Sequence, residues 1–132
     1  DHPNCIEGGK RPLHTIIPGL ALDNDNKTVL SFGVMGGQYQ PVGQVHVFNN
    51  IFDFNMTPQE AITYPRAFHF NSIYKLEKEI SEDIKSKLEA IGHKVEFTND
   101  PHGGGQAIQI DRKKGKLIGG SDPRKDGYAS GY

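Results

Sequence analysis

Tryptophan is absent from this 132-residue sequence, and cysteine occurs only once, at Cys5. A single cysteine excludes an internal disulfide and any zinc site built from several cysteines, and it permits a cytoplasmic location without requiring one. The sequence also lacks a surplus of either charge, because 15 basic residues are matched by 16 acidic ones. We therefore expect no nucleic-acid partner, since proteins that bind nucleic acid carry a basic surface.

Long apolar runs are missing as well. No run approaches the roughly 18 residues of a membrane-spanning helix, and residues 1–30 contain no basic-then-apolar secretory signal. Hydrophobic residues make up only 35% of the chain, whereas glycine and proline contribute 16 and 8 residues. This is a thin supply of apolar side chains for a self-sufficient core. We expect residues 1–132 to form a single, incomplete domain that needs further protein to cover it.

The apolar pattern that is present predicts a hairpin followed by a helix. Thr15–Leu22 and Thr28–Val34 are β-rich runs on either side of an Asp/Asn turn, and their weak alternation predicts strands buried on both faces. Apolar residues then recur every three or four positions, which predicts a buried helix near residues 40–54. Its inward face should carry Val42, Val45, Phe48 and Phe52, with Val47 and Ile51 widening the stripe.

Two further helices are predicted from capping motifs. Thr57-Pro58-Gln59-Glu60 combines a cap, a first-turn proline and a glutamate at the third position, and this helix must end before Pro65. Ser81-Glu82-Asp83 opens another helix, which Gly92 can terminate. Three short strands are expected at Lys94–Phe97, Gln106–Ile110 and Lys116–Ile118. Strands, then helices, then strands indicate a mixed layer of strands and helices rather than a doubly wound parallel sheet.

The common catalytic and metal-binding patterns are not found in this sequence. It contains no GxxxxGK[ST] or GxGxxG loop and no GxSxG elbow. Its six histidines never occur at HxH or HxxxH spacing, so a metal site would have to be assembled from distant residues. We therefore predict neither a metal site nor a cofactor.

One turn has the chemistry of an anion-binding site. Val34-Met35-Gly36-Gly37-Gln38 ends a predicted strand and begins a predicted helix. Two consecutive glycines expose backbone N–H groups at the positive end of the helix dipole, where they can hold an anion or a developing oxyanion. The same glycines would also be needed simply to make a tight turn, and the residues by themselves favour this second interpretation.

Several short motifs follow one another in a characteristic order. They are Gly9-Lys10-Arg11-Pro12-Leu13, the strand ending at Pro18, Met35-Gly36-Gly37, Thr57-Pro58-Gln59-Glu60-Ala61-Ile62, Pro65-Arg66, Gly92-His93 and Ser121-Asp122-Pro123-Arg124. Each motif is weakly specific alone. In this order and spacing they resemble the C-terminal part of the small subunit of the γ-glutamyltransferase (γ-glutamyltranspeptidase) family, over practically the whole chain from Asn4 to Tyr132.

The resemblance implies the four-layer αββα sandwich of N-terminal nucleophile hydrolases, an α+β fold with antiparallel sheets. In that family a precursor cleaves itself into a large and a small subunit, and the threonine freed at the small subunit's N-terminus becomes the nucleophile. The enzyme transfers a γ-glutamyl group from glutathione or a related amide to water or an amino acid through an acyl-enzyme. The threonine's own α-amine serves as the base, so neither histidine nor cofactor is required.

The resemblance also assigns roles to individual residues. Gly36 and Gly37 match the paired glycines of the family's oxyanion hole, which makes the functional interpretation of their turn the favoured one. His14 and Thr15 occupy the positions of two adjacent serines that bind the donor's α-carboxylate. Thr15 keeps a hydroxyl, whereas His14 introduces a ring that can be cationic. This departure resembles a divergent branch that includes acylase-like members, so the donor need not be glutathione.

A second departure concerns the nucleophile. The family's catalytic threonine and the acidic residue that holds the donor's amine would both precede Asp1, so we expect this chain to supply the oxyanion hole and part of the donor pocket but not the nucleophile. The expected partners are the large subunit and the N-terminal part of the small subunit of the same precursor, and a small-molecule γ-glutamyl or acyl donor. The alternative is a non-catalytic or degenerate member that acts as a structural partner. A threonine that begins another chain beside Gly36 and Gly37 would favour the enzyme.

Overall fold

Seven strands and three α-helices are found in residues 2–132, the part of the chain that this computed structural model describes. In chain order they are β1 (Gly19–Leu22), β2 (Thr28–Met35), α1 (Gln40–Phe52), α2 (Pro58–Thr63), β3 (Ala67–Phe70), β4 (Ile73–Glu77), α3 (Glu82–Ala90), β5 (Val95–Thr98), β6 (Gly104–Asp111) and β7 (Lys116–Ser121). The larger sheet has the order β1-β2-β6-β7 and is antiparallel throughout. The smaller sheet has the order β3-β4-β5, in which β4 and β5 pair in parallel.

The hairpin of β1 and β2 confirms the predicted pairing of these two runs. Its turn is closed by the N–H of Asp23, which donates to the carbonyl of Lys27 at 2.9 Å. β1 begins at Gly19 rather than at Thr15, because Pro18 lacks the N–H that a ladder needs. Leu20 and Leu22 are exposed in this chain, so the second face of the hairpin, predicted to be buried, is left uncovered here, as expected of an incomplete domain.

α1 lies where the sequence predicts a helix, but only the two residues predicted to widen its inward stripe enter the core. Val47 and Ile51 are 1% and 4% exposed, so they are the residues that enter the core. The four residues predicted to form the centre of that stripe are instead exposed, at 46% for Val42, 59% for Val45, 38% for Phe48 and 38% for Phe52. The cause is Gly43, where a Cβ would lie only 2.7 Å from Cγ1 of Val34. The glycine lets α1 approach β2 closely on this face.

The hydrophobic core lies between the larger sheet and helices α1 and α2. It consists of Leu30, Val34, Tyr39, Val47, Ile51, Ala61, Ile62 and Ala107. Because side chains alternate along a strand, the other face of the sheet carries a different set. We call this the outer sheet face, and it includes Leu20, Ser31, Ile108 and Leu117. Its large apolar members are 66% (Leu20), 48% (Ile108) and 70% (Leu117) exposed.

The smaller sheet contains the two strands that sequence reasoning missed, β3 and β4. They are joined by Asn71 and Ser72, whose φ angles are +50° and +63°. Such a two-residue turn is usually recognised by a glycine, which is lacking here. The third strand, β5, is close to its predicted position.

α2 and α3 begin at the predicted caps. The N–H of Glu60 donates to Oγ1 of Thr57 at 3.3 Å, and Oε2 of Glu60 accepts from the N–H of Thr57 at 2.8 Å. Ser81 caps α3 by accepting from the N–H of Ile84, and Gly92 follows this helix with a φ of +97°. Within residues 2–132, none of the helices combines the length and the apolar character that crossing a bilayer requires.

Candidate active site

Gly36 and Gly37 form the turn that carries the chain from β2 into α1. Their φ angles are +135° and +57°, in the region that strongly favours glycine. A single 3-10 turn, Gly37–Tyr39, leads directly into α1, and the N–H of Tyr39 donates to the carbonyl of Gly36 at 3.1 Å. Both glycines are exposed. Since the first N–H groups of a helix have no partner within it, a turn at this place has the chemistry to bind an anion at the positive end of the dipole.

The turn rests on a second glycine-rich loop. A Cβ on Gly36 would lie 2.8 Å from Cα of Gly103, and a Cβ on Gly103 would collide with the carbonyl oxygen of Met35. By contrast, a Cβ on Gly37 would meet no heavy atom within 4 Å. Gly36 is therefore required by close packing and conformation together, whereas Gly37 is required by its conformation alone.

Thr15 is held beside this turn by the side chain of Gln40. Nε2 of Gln40 donates to the carbonyl of Thr15 at 2.9 Å and to the carbonyl of Gly37 at 3.4 Å. One helical turn further along α1, Gln44 donates to the carbonyl of Ile17. Two of the predicted site segments are thus brought together, although their residues are separated in sequence. Sequence reasoning gave no role to Gln40.

His14 precedes Thr15 and is exposed. Within residues 2–132, no hydrogen bond or ion pair is found for its side chain. The structure therefore places it next to the Thr15 segment without fixing its ring.

A cleft of about 310 Å³ opens beside Gly36. It is lined by Met35, Gly36, Tyr39, Phe68, Pro101, His102, Gly103 and Lys125. The rings of Tyr39 and His102 stack with their centroids 5.6 Å apart. Burial raises the pKa of Tyr39 to about 12, so this phenol stays protonated at neutral pH and cannot serve as a base there.

Behind the cleft lies a buried ionic network that sequence reasoning also missed. Arg66 and Asp122 are both fully buried, and Nη2 of Arg66 lies 2.8 Å from Oδ2 of Asp122. Nη2 of Arg124 lies 2.6 Å from Oε2 of Glu77, and Nη1 of Arg124 lies 3.3 Å from Oδ1 of Asp122. The motifs Pro65-Arg66 and Ser121-Asp122-Pro123-Arg124, noted above without a role, therefore meet in space.

This network fixes the loop on which the glycine turn rests. Nη1 of Arg66 donates to the carbonyl of His102 at 2.7 Å, and Glu77 accepts from the N–H of His102 at 2.9 Å. Asp122 accepts from the N–H of Gly105 at 2.7 Å. Gly103 is held between these two anchor points, so the network supports the position of Gly36 from behind.

The charges of the network stabilise one another. Burial alone would raise the pKa of Glu77, but hydrogen bonds from Arg124, His102 and Arg66 outweigh it and lower the pKa. Burial likewise acts against the charge of Asp122, whereas the N–H groups of Gly105 and Arg124 and the two guanidinium groups lower its pKa overall. Both carboxylates therefore remain ionised at neutral pH.

The histidines do not form a recognisable metal centre. Nε2 of His46 lies 3.1 Å from Nδ2 of Asn50, and burial is the main cause of its lowered pKa. His69 lies in β3 and His93 lies between α3 and β5, with their ring centroids 6.1 Å apart. Within residues 2–132, no group of three or more His, Cys, Asp or Glu side chains could hold a metal ion.

Comparison with known proteins covers the whole chain. The family model described as Gamma-glutamyltranspeptidase matches residues 1–132. A glutathione hydrolase-like proenzyme of Bacillus subtilis is 33% identical over 141 residues, which cover 99% of this chain and 26% of that protein. The chain spans about a quarter of the length of the curated relatives it matches.

Solved structures give the same result. A cephalosporin acylase from Bacillus halodurans superposes with a TM-score of 0.83 at 39% identity, covering 100% of this chain and 26% of that one. A mutant of Helicobacter pylori gamma-glutamyltranspeptidase superposes with a TM-score of 0.78 at 32% identity, covering 90% of this chain and 66% of that one.

Proposed function

This chain belongs to the gamma-glutamyltranspeptidase family and has the α+β fold of its N-terminal nucleophile hydrolases, and we propose that it forms part of an enzyme that cleaves a γ-glutamyl or related acyl amide. In this proposal the chain contributes the oxyanion hole and part of the donor pocket. A threonine from a partner segment acts as the nucleophile, and its own amine acts as the base.

The observation that carries the proposal is the Gly36–Gly37 turn. When the threonine hydroxyl attacks the amide carbon, the hydroxyl proton passes to the threonine's α-amine and the carbonyl oxygen gains negative charge. The two glycine N–H groups donate to that oxygen and lower the energy of the tetrahedral intermediate. When the intermediate collapses, the donor's amine leaves and takes the proton from the threonine's α-amine. The acyl group remains bound to the threonine as an acyl-enzyme. Attack by water or by a second amine then releases the acyl group.

The donor pocket is assigned to His14 and Thr15. Gln40 places the Thr15 segment next to the turn that holds the reacting carbonyl. A threonine hydroxyl, an imidazole and the positive end of α1 together favour a carboxylate on the acyl group. We therefore propose a donor whose acyl chain carries a carboxylate close to the scissile amide, as a γ-glutamyl group does.

The partner is proposed from the outer sheet face. A four-layer αββα sandwich packs two sheets against each other, and this chain provides one large sheet with helices on only one side. The exposed Leu20, Ile108 and Leu117 are suited to contact a second sheet. We propose that the large subunit and the N-terminal part of the small subunit of the same precursor supply it.

Replacement of Gly37 by valine in the assembled enzyme tests the oxyanion role. A β-branched residue cannot easily keep a φ of +57°, so its N–H should rotate away from the oxyanion. Turnover of a γ-glutamyl anilide should fall by a factor of roughly 10²–10³. The matched control is Gly115→Val, since Gly115 has a φ of +63°, has equally open surroundings and lies in the distant β6–β7 turn.

A near-normal rate for Gly37→Val would refute the oxyanion role. An assembled wild-type protein that turns over no acyl amide would instead favour the structural-partner alternative.

A further inference from the structure

Gln40 connects the two segments of the proposed site through a single side chain. It is the first residue of α1 and is only 9% exposed. Its Nε2 lies 2.9 Å from the carbonyl oxygen of Thr15 and 3.4 Å from that of Gly37. We propose that Gln40 is a positioning residue, which sets the distance between the donor-binding segment and the oxyanion turn. The inference rests on the function proposed above.

The chemistry of the amide suits this task. A carboxamide nitrogen carries two N–H donors and no charge, so it can satisfy two carbonyl oxygens at once. A carboxylate in the same place would only accept, and a thioether would leave both carbonyls unpaired. Because a buried polar group without a partner is costly, the side chain and both carbonyls are held in one arrangement.

The segment that contains Thr15 is held at two further points. Gln44 donates to the carbonyl of Ile17, and Gly19 enters the sheet by pairing with Phe32. Between them Pro18 restricts the backbone. The segment 15–18 therefore has few ways to move, and Gln40 fixes the end that lies nearest to the glycine turn.

This arrangement separates binding from chemistry. Without the Gln40 contact, the glycine turn keeps its conformation because Gly36 still packs against Gly103. The Thr15 segment, however, loses its link to that turn. Loss of Gln40 should therefore weaken the binding of donors that carry the α-carboxylate and leave the chemical step nearly unchanged.

The test compares two anilides in the assembled enzyme. One carries a γ-glutamyl group, and the other carries a 4-aminobutyryl group, which is the same chain without the α-carboxylate. Gln40→Met, of similar length but without donors, should raise KM for the γ-glutamyl anilide by about tenfold. Its kcat for that anilide, and its KM for the 4-aminobutyryl anilide, should remain close to wild type. Gln109→Met is the control, because Gln109 is half-buried in β6 and pairs with Leu30, away from the glycine turn.

Gln40→Glu provides a second readout that does not depend on loss of the side chain. Its carboxylate should raise KM for the γ-glutamyl anilide at neutral pH. As the pH falls, the protonated acid regains one donor, and KM relative to wild type at the same pH should recover.

The inference is overturned if Gln40→Met raises KM for both anilides equally, or if its KM and kcat match those of Gln109→Met. It is also overturned if the KM of Gln40→Glu shows no recovery in acid. A wild-type enzyme that cleaves neither anilide would overturn the proposed function itself.

Discussion

Within positions 2–132, Arg66 has the largest fully buried side chain, and Asp122 is its buried counter-ion. A buried ion pair is not by itself stabilising, because removing two charges from water costs several kcal/mol per ion. The role of this pair is to fix the relative positions of distant chain segments. It joins the chain after α2 to the chain after β7, and it anchors the loop from His102 to Gly105 behind the glycine turn.

Removal of one partner should therefore be costly. Asp122→Asn leaves Arg66 buried without its counter-ion, and we expect the free energy of unfolding to fall by about 3–5 kcal/mol. Urea denaturation followed by circular dichroism measures it. The control is Asp25→Asn, which removes an exposed pair with Lys27 and should cost less than about 1 kcal/mol. A loss for Asp122→Asn no larger than that of the control would contradict this role.

The same network gives the sign of a pH effect. The pKa of Asp122 is lowered in the folded chain, so its contribution is fully present above the ordinary carboxyl pKa and is lost as the pH falls through the folded value. The difference in stability between wild type and Asp122→Asn should accordingly shrink in acid.

At the residue scale, local chemistry was sufficient to predict the tight turn at Gly36 and Gly37, which their positive φ angles confirm. Their oxyanion role came from the family resemblance and stays a prediction. Two glycines between a strand and a helix are visible in the sequence itself. The partners of the ionic network were not predictable in this way, because Arg66 and Asp122 are 56 positions apart. Nothing in the pattern around Gln40 indicated that its side chain would reach back to Thr15.

At the scale of elements, α1 illustrates why a helix can be predicted while its orientation is not. Both of its faces carry large apolar residues, so the period of three to four identifies the helix without selecting a side. Gly43 selects the face that packs on the sheet, because it allows α1 to approach Val34 closely. The caps of α2 and α3 were predictable because they depend on residues within one turn. β3 and β4 were not, because their turn lacks glycine.

The orientation of α1 can be tested with two equivalent substitutions. Val47→Ala removes two buried methyl groups and should lower the free energy of unfolding by about 2 kcal/mol. Val45→Ala, on the exposed face, should change it by less than about 0.5 kcal/mol, because alanine is also the better helix former. Chemical denaturation of both variants measures the difference. Equal losses would mean that α1 buries both faces under the conditions used.

At the scale of the whole molecule, the outer sheet face is the main exposed apolar surface of the larger sheet. Its exposed apolar residues lie on all four strands, with Leu20 on β1, Met35 at the end of β2, Ile108 on β6 and Leu117 on β7. Because the core is on the other side, substitutions on this face should affect association more than folding.

Ile108→Lys separates the two effects. The chain should keep its far-ultraviolet circular dichroism and should become less prone to self-association, but it should no longer co-purify with the partner proposed above. Ile6→Lys is the matched control, because Ile6 is fully exposed and lies far from the sheet in sequence. Normal co-purification of Ile108→Lys would show that the partner covers another surface.

The contact between Gly36 and Gly103 restricts how this protein can change over time. In most packed interfaces, a larger residue on one side is accommodated by a smaller one opposite. Here the main chains of two glycines are in contact without any intervening side chain. Since glycine is the smallest residue, neither position can be replaced by a smaller one. A substitution at either can be compensated only by displacement of the main chain, which the buried charges behind Gly103 resist. Two positions 67 residues apart in the sequence must therefore both remain glycine.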